Sequence, residues 1–493
     1  MPQPLKVIVD AQVRINRTKL DLVTTNRLKA MFTRDNPQFY KVQRMGFWPG
    51  KVPRKITSVK MEDDFLLLPR GGLSRVLECL EERGYEVESL IDRSLKLERI
   101  KLELAFQLYP YQQEAVNAIV QNGNCVMRGP CGSGKTIVLL GAIAELKQPT
   151  LVIVHTEALR KQWSAAVSEW FGFVPGSIGG TGKMSIRPIT IGMQQTIWRW
   201  ADKKPEWIKQ FGCIVGDEIH HWAARTFQVT AAMFPAAYRV GASADEKRKD
   251  GLEFMIYDTF GPVVYEIHRE ALVVMKRLLP VQMYLVKTDY MNDNYLQSMA
   301  EGCTPDWVSM INNLVCDDER NELILNVVRR LLNKPTNRIL LLSERVQGCC
   351  DWQEIFESHG HPCGLMVGGQ KQDTDRAIAG LKTGDFRIAV GTKIADEGLD
   401  IPQLTHVIIT CPIHTHPKRL EQMTGRVARV CEGKEKAIAI YFWDHRIFPT
   451  PEVQYDDALK KRARTRAFIN SLRKGCSDLY HWDLASNKAS RIN

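Results

Sequence analysis

Short apolar runs alternate with segments of helical periodicity between about residues 101 and 272. The runs and segments that carry this pattern are 150–155, 189–193 and 213–215 for strands, and 136–146 and 157–170 for helices. Strands that alternate with helices are typical of a parallel sheet covered on both faces. Because ligands bind beyond the carboxyl ends of such strands, we expect functional residues at those ends.

The same alternation returns between about residues 273 and 448. The expected strands are 339–342, 364–367, 386–390 and 405–410, with helices over 346–359 and 373–381 and one that begins near Pro417. We therefore predict an α/β fold in which two lobes, 101–272 and 273–448, follow each other along the chain. Residues 449–493 are expected to form a basic C-terminal extension.

Residues 1–100 read as a separate small α/β or α+β domain. Strand patterns cover 7–13, 55–61 and 65–68, and helical patterns cover 23–32 and 73–83. Within this domain, residues 45–53 place Phe47 and Trp48 among glycines, prolines and basic residues. Such a mixture can stack on a nucleic-acid base. An aromatic side chain beside Gly and Pro more commonly fills the local core, which is the interpretation we favour here.

Charge points to a polyanionic partner. The net charge of the 493 residues is +11, and residues 1–60 contain 13 Lys or Arg against 3 Asp, a local balance of 13 − 3 = +10. A second basic run lies between Lys460 and Lys474. Basic stripes attract nucleic acid by releasing its counterions, although such runs are also commonly solvated faces.

Other compositional features favour a soluble, intracellular protein. The longest apolar runs are far shorter than the roughly 18 residues that a bilayer span requires. The residues that follow Met1 lack a signal-type apolar core, and the twelve cysteines include no C-x-x-C pair, so disulfides are not indicated. We expect a bacterial or phage-host cytoplasm, with a nucleus left open, and no membrane partner.

Two motifs indicate nucleotide hydrolysis. Gly129-Pro-Cys-Gly132-Ser133-Gly134-Lys135-Thr136 is a G-x-x-x-x-G-K-[ST] phosphate loop, in which Lys135 reaches the β- and γ-phosphates and Thr136 holds Mg²⁺. After an apolar strand, Asp217 adds a carboxylate for the metal, and Glu218 is able to orient the attacking water.

A third motif, Gln422-Met-Thr-Gly-Arg426-Val-Ala-Arg429, lies in the second lobe. At i, i+3 spacing on a helix, Gln422, Arg426 and Arg429 share roughly one face. Guanidinium groups brought to a γ-phosphate from another lobe stabilise transition-state charge. The three motifs together describe a motor in which ATP joins two lobes.

Over residues 105–448 the chain resembles superfamily 2 DExH helicases, and most closely the XPB-type and UvsW-like phage DNA helicases. Besides the three motifs, the resemblance lies in Tyr109 to Gln112, Val154 to Trp163, Thr190 to Gln195, Arg239 to Ala244, Leu340 to Arg345 and Gly391 to Pro402. It implies two tandem RecA-like P-loop NTPase lobes, ATP and Mg²⁺ as cofactors, and a nucleic-acid substrate, DNA rather than RNA.

The resemblance also implies residue roles. Gln112 would recognise adenine, Gln422, Arg426 and Arg429 would close over the γ-phosphate, and Gly398 and Asp400 would lie near the nucleotide. Thr156, Thr196 and Thr392 are expected to contact backbone phosphates, since hydroxyls and helix N-termini do so without reading sequence.

The predicted function is an ATP-dependent DNA helicase or translocase that acts on duplex or branched DNA in repair, recombination or phage-related processes. An RNA helicase with the same motor, and an ATP-gated nucleic-acid clamp that does not unwind, remain alternatives. Asp245, where the family motif usually has Thr, favours the clamp, whereas the intact arginine motif opposes it. A zinc site formed by His359, His361 and Cys363 with Cys349 and Cys350 is a weaker hypothesis, because the spacing matches no common finger.

Overall fold

The computed structural model describes residues 5–179, 184–200, 203, 205–219, 224–244, 251–300, 306–392, 401–412, 417–447 and 458–492. The chain divides into two compact units. The first comprises Met1–Gly129 with Gly134–Ile267, and the second comprises Pro130–Ser133 with His268–Asn493.

The N-terminal region of the first unit has its own five-stranded sheet and apolar core. Its strands are β1 (Leu5–Val9), β2 (Val13–Asn16), β3 (Thr33–Asp35), β4 (Lys55–Thr57), β5 (Lys60–Glu62), β6 (Phe65–Leu68) and β7 (Val87–Asp92). Its helices are α1 (Leu22–Met31), α2 (Pro37–Arg44) and α3 (Leu73–Glu82). The sheet order is β5-β6-β2-β1-β7, and β3 pairs separately with β4.

Two strand predictions in this region are wrong. Residues 7–13 form parts of two antiparallel strands, because the side chain of Asp10 accepts a hydrogen bond from the Gln12 amide at 2.9 Å and turns the chain. Residues 55–61 are likewise divided, since β4 pairs with β3 whereas β5 pairs with β6. Apolar periodicity does not detect such turns.

The N-terminal sheet is fastened to the rest of the first unit by buried arginines. Arg70 is 5 % exposed and donates to the carbonyl oxygens of Asp10, Ala236 and Ala237 at 2.6–3.0 Å. Arg239 is 2 % exposed and donates to the carbonyl oxygens of Ala11 and Phe234, each at 2.7 Å. Burial lowers the pKa of Arg70 to about 10 and lowers that of Arg239 as well. These bonds offset part of the cost of burying two cations and join the two sheets of this unit.

The second sheet of the first unit has seven parallel strands in the order β10-β11-β9-β12-β13-β8-β14. They are β8 (Asn124–Arg128), β9 (Thr150–Val154), β10 (Gly176–Ile178), β11 (Ile189–Met193), β12 (Cys213–Gly216), β13 (Tyr238–Ser243) and β14 (Val263–Glu266). The helices are α4 (Pro110–Asn122), α5 (Lys135–Leu146), α6 (Glu157–Phe171), α7 (Gln194–Trp198), α8 (Ala224–Met233) and α9 (Phe254–Phe260). Short 3₁₀ turns occur at Arg17–Lys19, Arg70–Gly72 and Glu206–Gln210.

The second unit contains an eight-stranded sheet in the order β17-β18-β16-β19-β20-β15-β21-β22. Its strands are β15 (Val281–Thr288), β16 (Ile339–Leu342), β17 (Cys363–Met366), β18 (Ile388–Gly391), β19 (His406–Ile409), β20 (Ala437–Asp444), β21 (Asp478–Asp483) and β22 (Lys488–Arg491). Its helices are α10 (Arg269–Val274), α11 (Asp293–Ala300), α12 (Trp307–Val315), α13 (Asp318–Leu332), α14 (Val346–Ser358), α15 (Lys371–Thr383), α16 (Pro417–Val427) and α17 (Ala458–Arg473).

The predicted α/β architecture of two RecA-like lobes with parallel sheets, preceded by a small N-terminal region, is confirmed. The sheet of the second unit continues beyond residue 448, because β21 pairs in parallel with β15. Among the described residues, no helix combines the length and the apolar character that crossing a membrane would require.

Candidate nucleotide site

The phosphate loop connects β8 to α5, which begins at Lys135. Gly132 and Gly134 have φ of 82° and 79°, in the left-handed region that glycine tolerates. A Cβ atom at Gly134 would lie 2.7 Å from the side-chain nitrogen of Gln112. Only glycine therefore fits at the entrance to α5, and the N-terminus of a helix favours anions.

Lys135 lies in a largely buried position directly after this loop. Its side chain is 8 % exposed, and its Nζ donates to the Gly129 carbonyl oxygen at 3.0 Å. The same Nζ lies 3.3 Å from Oε1 of Glu218. The structure thus brings together the lysine of the first predicted motif and the carboxylate of the second. Thr136 follows in the first turn of α5.

Asp217 and Glu218 follow the buried strand β12. Asp217 is 3 % exposed and accepts hydrogen bonds from the Trp163 indole N–H at 2.8 Å and from the Glu218 amide at 2.9 Å. Burial, and then the negative charge of Glu218, raise the pKa of Asp217 to about 6. A carboxylate pair of which one member is buried fits a divalent cation, whose charge would offset both effects.

Glu218 adopts a backbone conformation that is unusual for a residue with a side chain. Its φ is 45°, and its Oε2 accepts a hydrogen bond from the Ala244 amide at 3.3 Å. Because Ala244 directly follows β13, this bond joins Glu218 to the segment from Arg239 to Ala244, which carries part of the family resemblance. The backbone N–H of Gly129 also donates to the Ser243 carbonyl oxygen at 3.1 Å. The end of β13 therefore contacts both the phosphate loop and the acidic pair.

Gln112 lies in the first turn of α4 and is 4 % exposed. Its Oε1 accepts from the Tyr109 amide at 3.0 Å, which caps the helix, while its Nε2 is the atom nearest to a Cβ at Gly134. The adenine-recognition residue implied by the family resemblance is therefore adjacent to the phosphate loop.

The three threonines expected at nucleic acid lie just beyond strands of the two sheets. Thr156 follows β9 and caps α6, since its hydroxyl accepts from the Leu159 amide at 3.3 Å. Thr196 follows β11, the neighbour of β9, and Gln195 donates to the His155 carbonyl oxygen at 2.8 Å across these strand ends. Thr392 follows β18 in the second unit.

The arginine motif lies in the second unit. Gln422 and Arg426 are on α16, and Arg426 is 9 % exposed. The predicted extension of this helix to Arg429 is wrong, because α16 ends at Val427 and Arg429 forms an antiparallel bridge with Leu278. Burial lowers the pKa of Arg429. Gly398, Asp400 and Asp245 lie outside the described residues.

Trp163 and Ala244 are site residues to which the sequence assigned no role. Both act through hydrogen bonds between segments that are distant along the chain. Trp163 could have been found from its position in an amphipathic helix. A tryptophan on the buried face of such a helix needs an acceptor for its indole N–H.

Within the described part of the chain, no group of three or more His, Cys, Asp or Glu is arranged to hold a metal ion. Among the residues of the zinc hypothesis, Cys349 and Cys363 are buried thiols. Burial raises the pKa of Cys349 to about 12 and also raises that of Cys363. A protonated thiol is a poor ligand for zinc.

Two family descriptions match the chain. Residues 105–248 match the res subunit of type III restriction enzymes, and residues 320–431 match the helicase conserved C-terminal domain. These ranges contain the phosphate loop and acidic pair in the first case and the arginine motif in the second.

Curated relatives and a solved structure extend this similarity. The chain is 29% identical to the probable helicase D10 of Escherichia phage T5 over 372 residues, 74% of this chain and 77% of the relative. It is 24% identical to the DNA 3'-5' translocase XPB2 of Sulfurisphaera tokodaii over 382 residues, 71% and 84% of the two chains. The fold resembles a fragment of a putative HsdR subunit of a type I restriction enzyme from Vibrio vulnificus, with a TM-score of 0.54, 14% identity and coverage of 94% and 93%.

Proposed function

We propose, because the chain belongs to the superfamily 2 helicases and is related to the XPB-type and phage helicases, that it is an ATP-dependent DNA helicase or translocase. The observation that carries the proposal is the cluster of Lys135, Asp217 and Glu218 at the carboxyl ends of β8 and β12. It combines a cation for phosphate, a carboxylate for metal and a second carboxylate for water.

The residues of the phosphate loop and the acidic pair, with Gln112, divide the work of hydrolysis. ATP bound with Mg²⁺ supplies the phosphoryl bond whose cleavage drives the cycle. Lys135, Thr136 and the backbone of Gly132 to Gly134 bind and orient the phosphates, and Asp217, held by Trp163, is a carboxylate for the metal. Glu218 leaves its ion pair with Lys135, orients the attacking water and accepts a proton from that water. Gln112 recognises the adenine.

Gln422, Arg426 and Arg429 of the second unit complete the proposed chemistry. Two guanidinium groups are suited to phosphoryl oxygens, which develop charge in the transition state. Gly398 and Asp400 are proposed near the nucleotide on the strength of the family motif alone. This assignment makes hydrolysis depend on residues from both units.

Thr156, Thr196 and Thr392 are proposed contacts to nucleic-acid backbone. The N-terminus of α6 at Thr156 favours a phosphate, and Gln195 holds the neighbouring strand end beside it. The name of the Sulfurisphaera relative, a DNA translocase, supports DNA over RNA. The name of the phage relative, a probable helicase of Escherichia phage T5, supports a role in phage-related processes.

ATP hydrolysis measured with and without nucleic acid tests this function. We expect closed duplex, forks, four-way junctions or single-stranded DNA to stimulate turnover, and RNA to stimulate it less. Lys135→Ala and Glu218→Gln should each lower the stimulated rate at least about 10²-fold, because each removes a group that acts on the transferred phosphoryl or its nucleophile. Glu145→Gln, an exposed change on α5, is the control. Unchanged turnover in either site variant would refute the assigned chemistry.

A further inference from the structure

The loop of residues 45–54, here called the aromatic prong, presents large apolar side chains to solvent. Trp48 is 87% exposed, the highest value among the large hydrophobic side chains of the described residues, and Phe47 is 65% exposed. The core-filling interpretation favoured from the sequence is therefore wrong. Adjacent exposed aromatic side chains on a folded protein commonly mark a surface that binds a partner.

The prong is held on a structured base. Asn36 is 4% exposed. Its side-chain amide donates to the Pro53 carbonyl oxygen at 2.8 Å, and its backbone N–H donates to the Arg54 carbonyl oxygen at 2.9 Å. The pairing of β3 with β4 closes the loop at the same point. Gly46 and Gly50, with φ of 77° and 58°, turn the chain on either side of the two aromatic residues. The rings are thus displayed by an ordered turn, which lowers the entropy cost of binding.

The charge around the prong selects a polyanion. Residues 36–60 contain no Asp or Glu, and their six basic residues are all exposed: Lys41, Arg44, Lys51, Arg54, Lys55 and Lys60. An apolar protein surface would leave this charge uncompensated, whereas nucleic acid offers phosphates for the cations and base faces for the rings.

The segment that carries the prong is also anchored to α9, in the unit that holds Lys135 and the acidic pair. Ser58, next to β4, donates to Asp258 of α9 at 3.2 Å, and the Arg34 guanidinium lies 6.0 Å from the ring centre of Phe254. Both contacts lie within the first unit. A base held by the prong would therefore keep a fixed position relative to β8 and Lys135, which lie in the same unit.

We infer that Trp48 and Phe47 stack on an unpaired base next to duplex DNA, while Lys41 and Lys51 contact the adjoining phosphates. The inference rests on the proposed function, which supplies DNA as the ligand, and it adds the part of the substrate that is recognised. Stacking requires an accessible base face, which a continuous duplex does not offer within its length. The prong thereby favours branched DNA over closed duplex. Residues 36–60 lie outside both family matches.

Equilibrium binding without nucleotide tests the prong. The DNA probes are a fork with 2-aminopurine at the first unpaired position and a duplex closed by linkers at both ends. We expect Trp48→Ala to weaken fork binding about tenfold, since stacking on one base contributes on that scale, and to change closed-duplex binding less than about twofold. Trp48→Phe, which keeps a ring, should retain most of the affinity and the quenching of 2-aminopurine.

Leu22→Ala is the matched control, because Leu22 is 75% exposed in the same N-terminal region and carries no ring. Its fork affinity should equal that of the original protein. Unchanged fork affinity in Trp48→Ala, an equal loss on both DNAs, or 2-aminopurine fluorescence that the original protein does not quench would each overturn the inference. DNA-stimulated ATP hydrolysis is measured on the same preparations. If DNA does not stimulate hydrolysis by the original protein, the proposed motor is refuted. If DNA stimulates hydrolysis but Trp48→Ala binds the fork as tightly as the original protein, only the proposed role of the prong is refuted.

Discussion

Asp217 and Glu218 place two carboxylates beside one lysine in a poorly solvated site. Asp217 is buried, and its two hydrogen-bond donors, the Trp163 indole and the Glu218 amide, are both neutral. The ion pair of Lys135 is directed to Glu218 at 3.3 Å. Burying a charge without full compensation lowers stability, and Glu218 adds a backbone conformation with φ of 45° that L residues rarely adopt. The site is therefore built for binding at some cost to the fold.

Asp217→Asn should abolish hydrolysis and remove a cost to stability that depends on pH. Burial and Glu218 raise the pKa of Asp217 from 3.8 to about 6, so the folded protein pays to ionise this group at pH 7.5. The penalty is present above the folded-state pKa and disappears as the pH falls through it toward 3.8. An amide oxygen can serve only one of the two donors at either pH, so the test is the difference between pH values. Without Mg²⁺, we expect the stability of the variant relative to the original protein to be on the order of 1 kcal/mol more favourable at pH 7.5 than at pH 5.

Calorimetric midpoints at the two pH values, with EDTA present, check this expectation. Glu145→Gln, an exposed acid-to-amide change on α5, should leave the midpoint unaltered at both. A difference in midpoint between Asp217→Asn and the original protein that is the same at both pH values would contradict the prediction.

At the scale of helices and strands, runs with strong periodicity were predictable. The strands at 189–193 and 339–342 have the predicted bounds, because each is a buried central strand with an uninterrupted apolar sequence. The strand β21 (Asp478–Asp483) was not predicted, since its polar sequence is stabilised by pairing with β15, nearly two hundred residues earlier. Likewise, Arg429 leaves the helical pattern because Leu278 supplies a backbone partner that local sequence does not reveal.

The candidate site likewise combines features that local sequence predicts with contacts between residues that are distant along the chain. The phosphate loop and acidic pair could be recognised from residue order, and the meeting of Lys135 with Glu218 follows from neighbouring strand ends. The bonds from Trp163 and Ala244 join residues 54 and 26 positions away from their acceptors. The exposure of Trp48 depends on a turn fastened by Asn36, and no periodic pattern reports it.

Gly71→Ala should loosen the N-terminal sheet from α9. A Cβ atom at Gly71 would overlap the Tyr257 carbonyl oxygen and lie 2.5 Å from the Gly261 amide nitrogen, and backbone atoms cannot move aside as a flexible side chain would. We expect a loss of about 2 kcal/mol, typical of an overpacked contact. Limited proteolysis should then release residues 1–100 faster than from the original protein.

Ser74→Ala provides the comparison, since Ser74 is exposed on the adjacent α3 and has no such backbone contact. Equal proteolysis rates for Gly71→Ala and the original chain would indicate that this contact does not fasten the N-terminal sheet. The Arg70 and Arg239 bonds would then be sufficient on their own.

On the scale of the whole molecule, the proposed chemistry distributes one reaction over two compact units. The phosphate lysine and both carboxylates belong to the first unit, and Gln422, Arg426 and Arg429 belong to the second. Binding of ATP and its hydrolysis therefore have different requirements. The side chains proposed to contact adenine, phosphate and metal lie in the first unit, whereas stabilisation of transition-state charge is assigned to arginines of the second. Separate measurement of the two steps distinguishes this arrangement from a site confined to one unit.

Arg426→Ala should accordingly leave ATP affinity within about threefold of the original value and lower DNA-stimulated hydrolysis about 10³-fold, the scale of an arginine that acts on transition-state charge. Arg426→Lys should not restore the rate, because an ammonium group lacks the planar fork that binds two phosphoryl oxygens. Arg376→Ala, at an exposed arginine of α15 in the same unit, controls for loss of positive charge. The affinity for ATP is measured by titration with a fluorescent nucleotide, and the rate of hydrolysis is measured by the release of phosphate. Full turnover in Arg426→Ala would place the complete catalytic machinery in the first unit and refute the shared site.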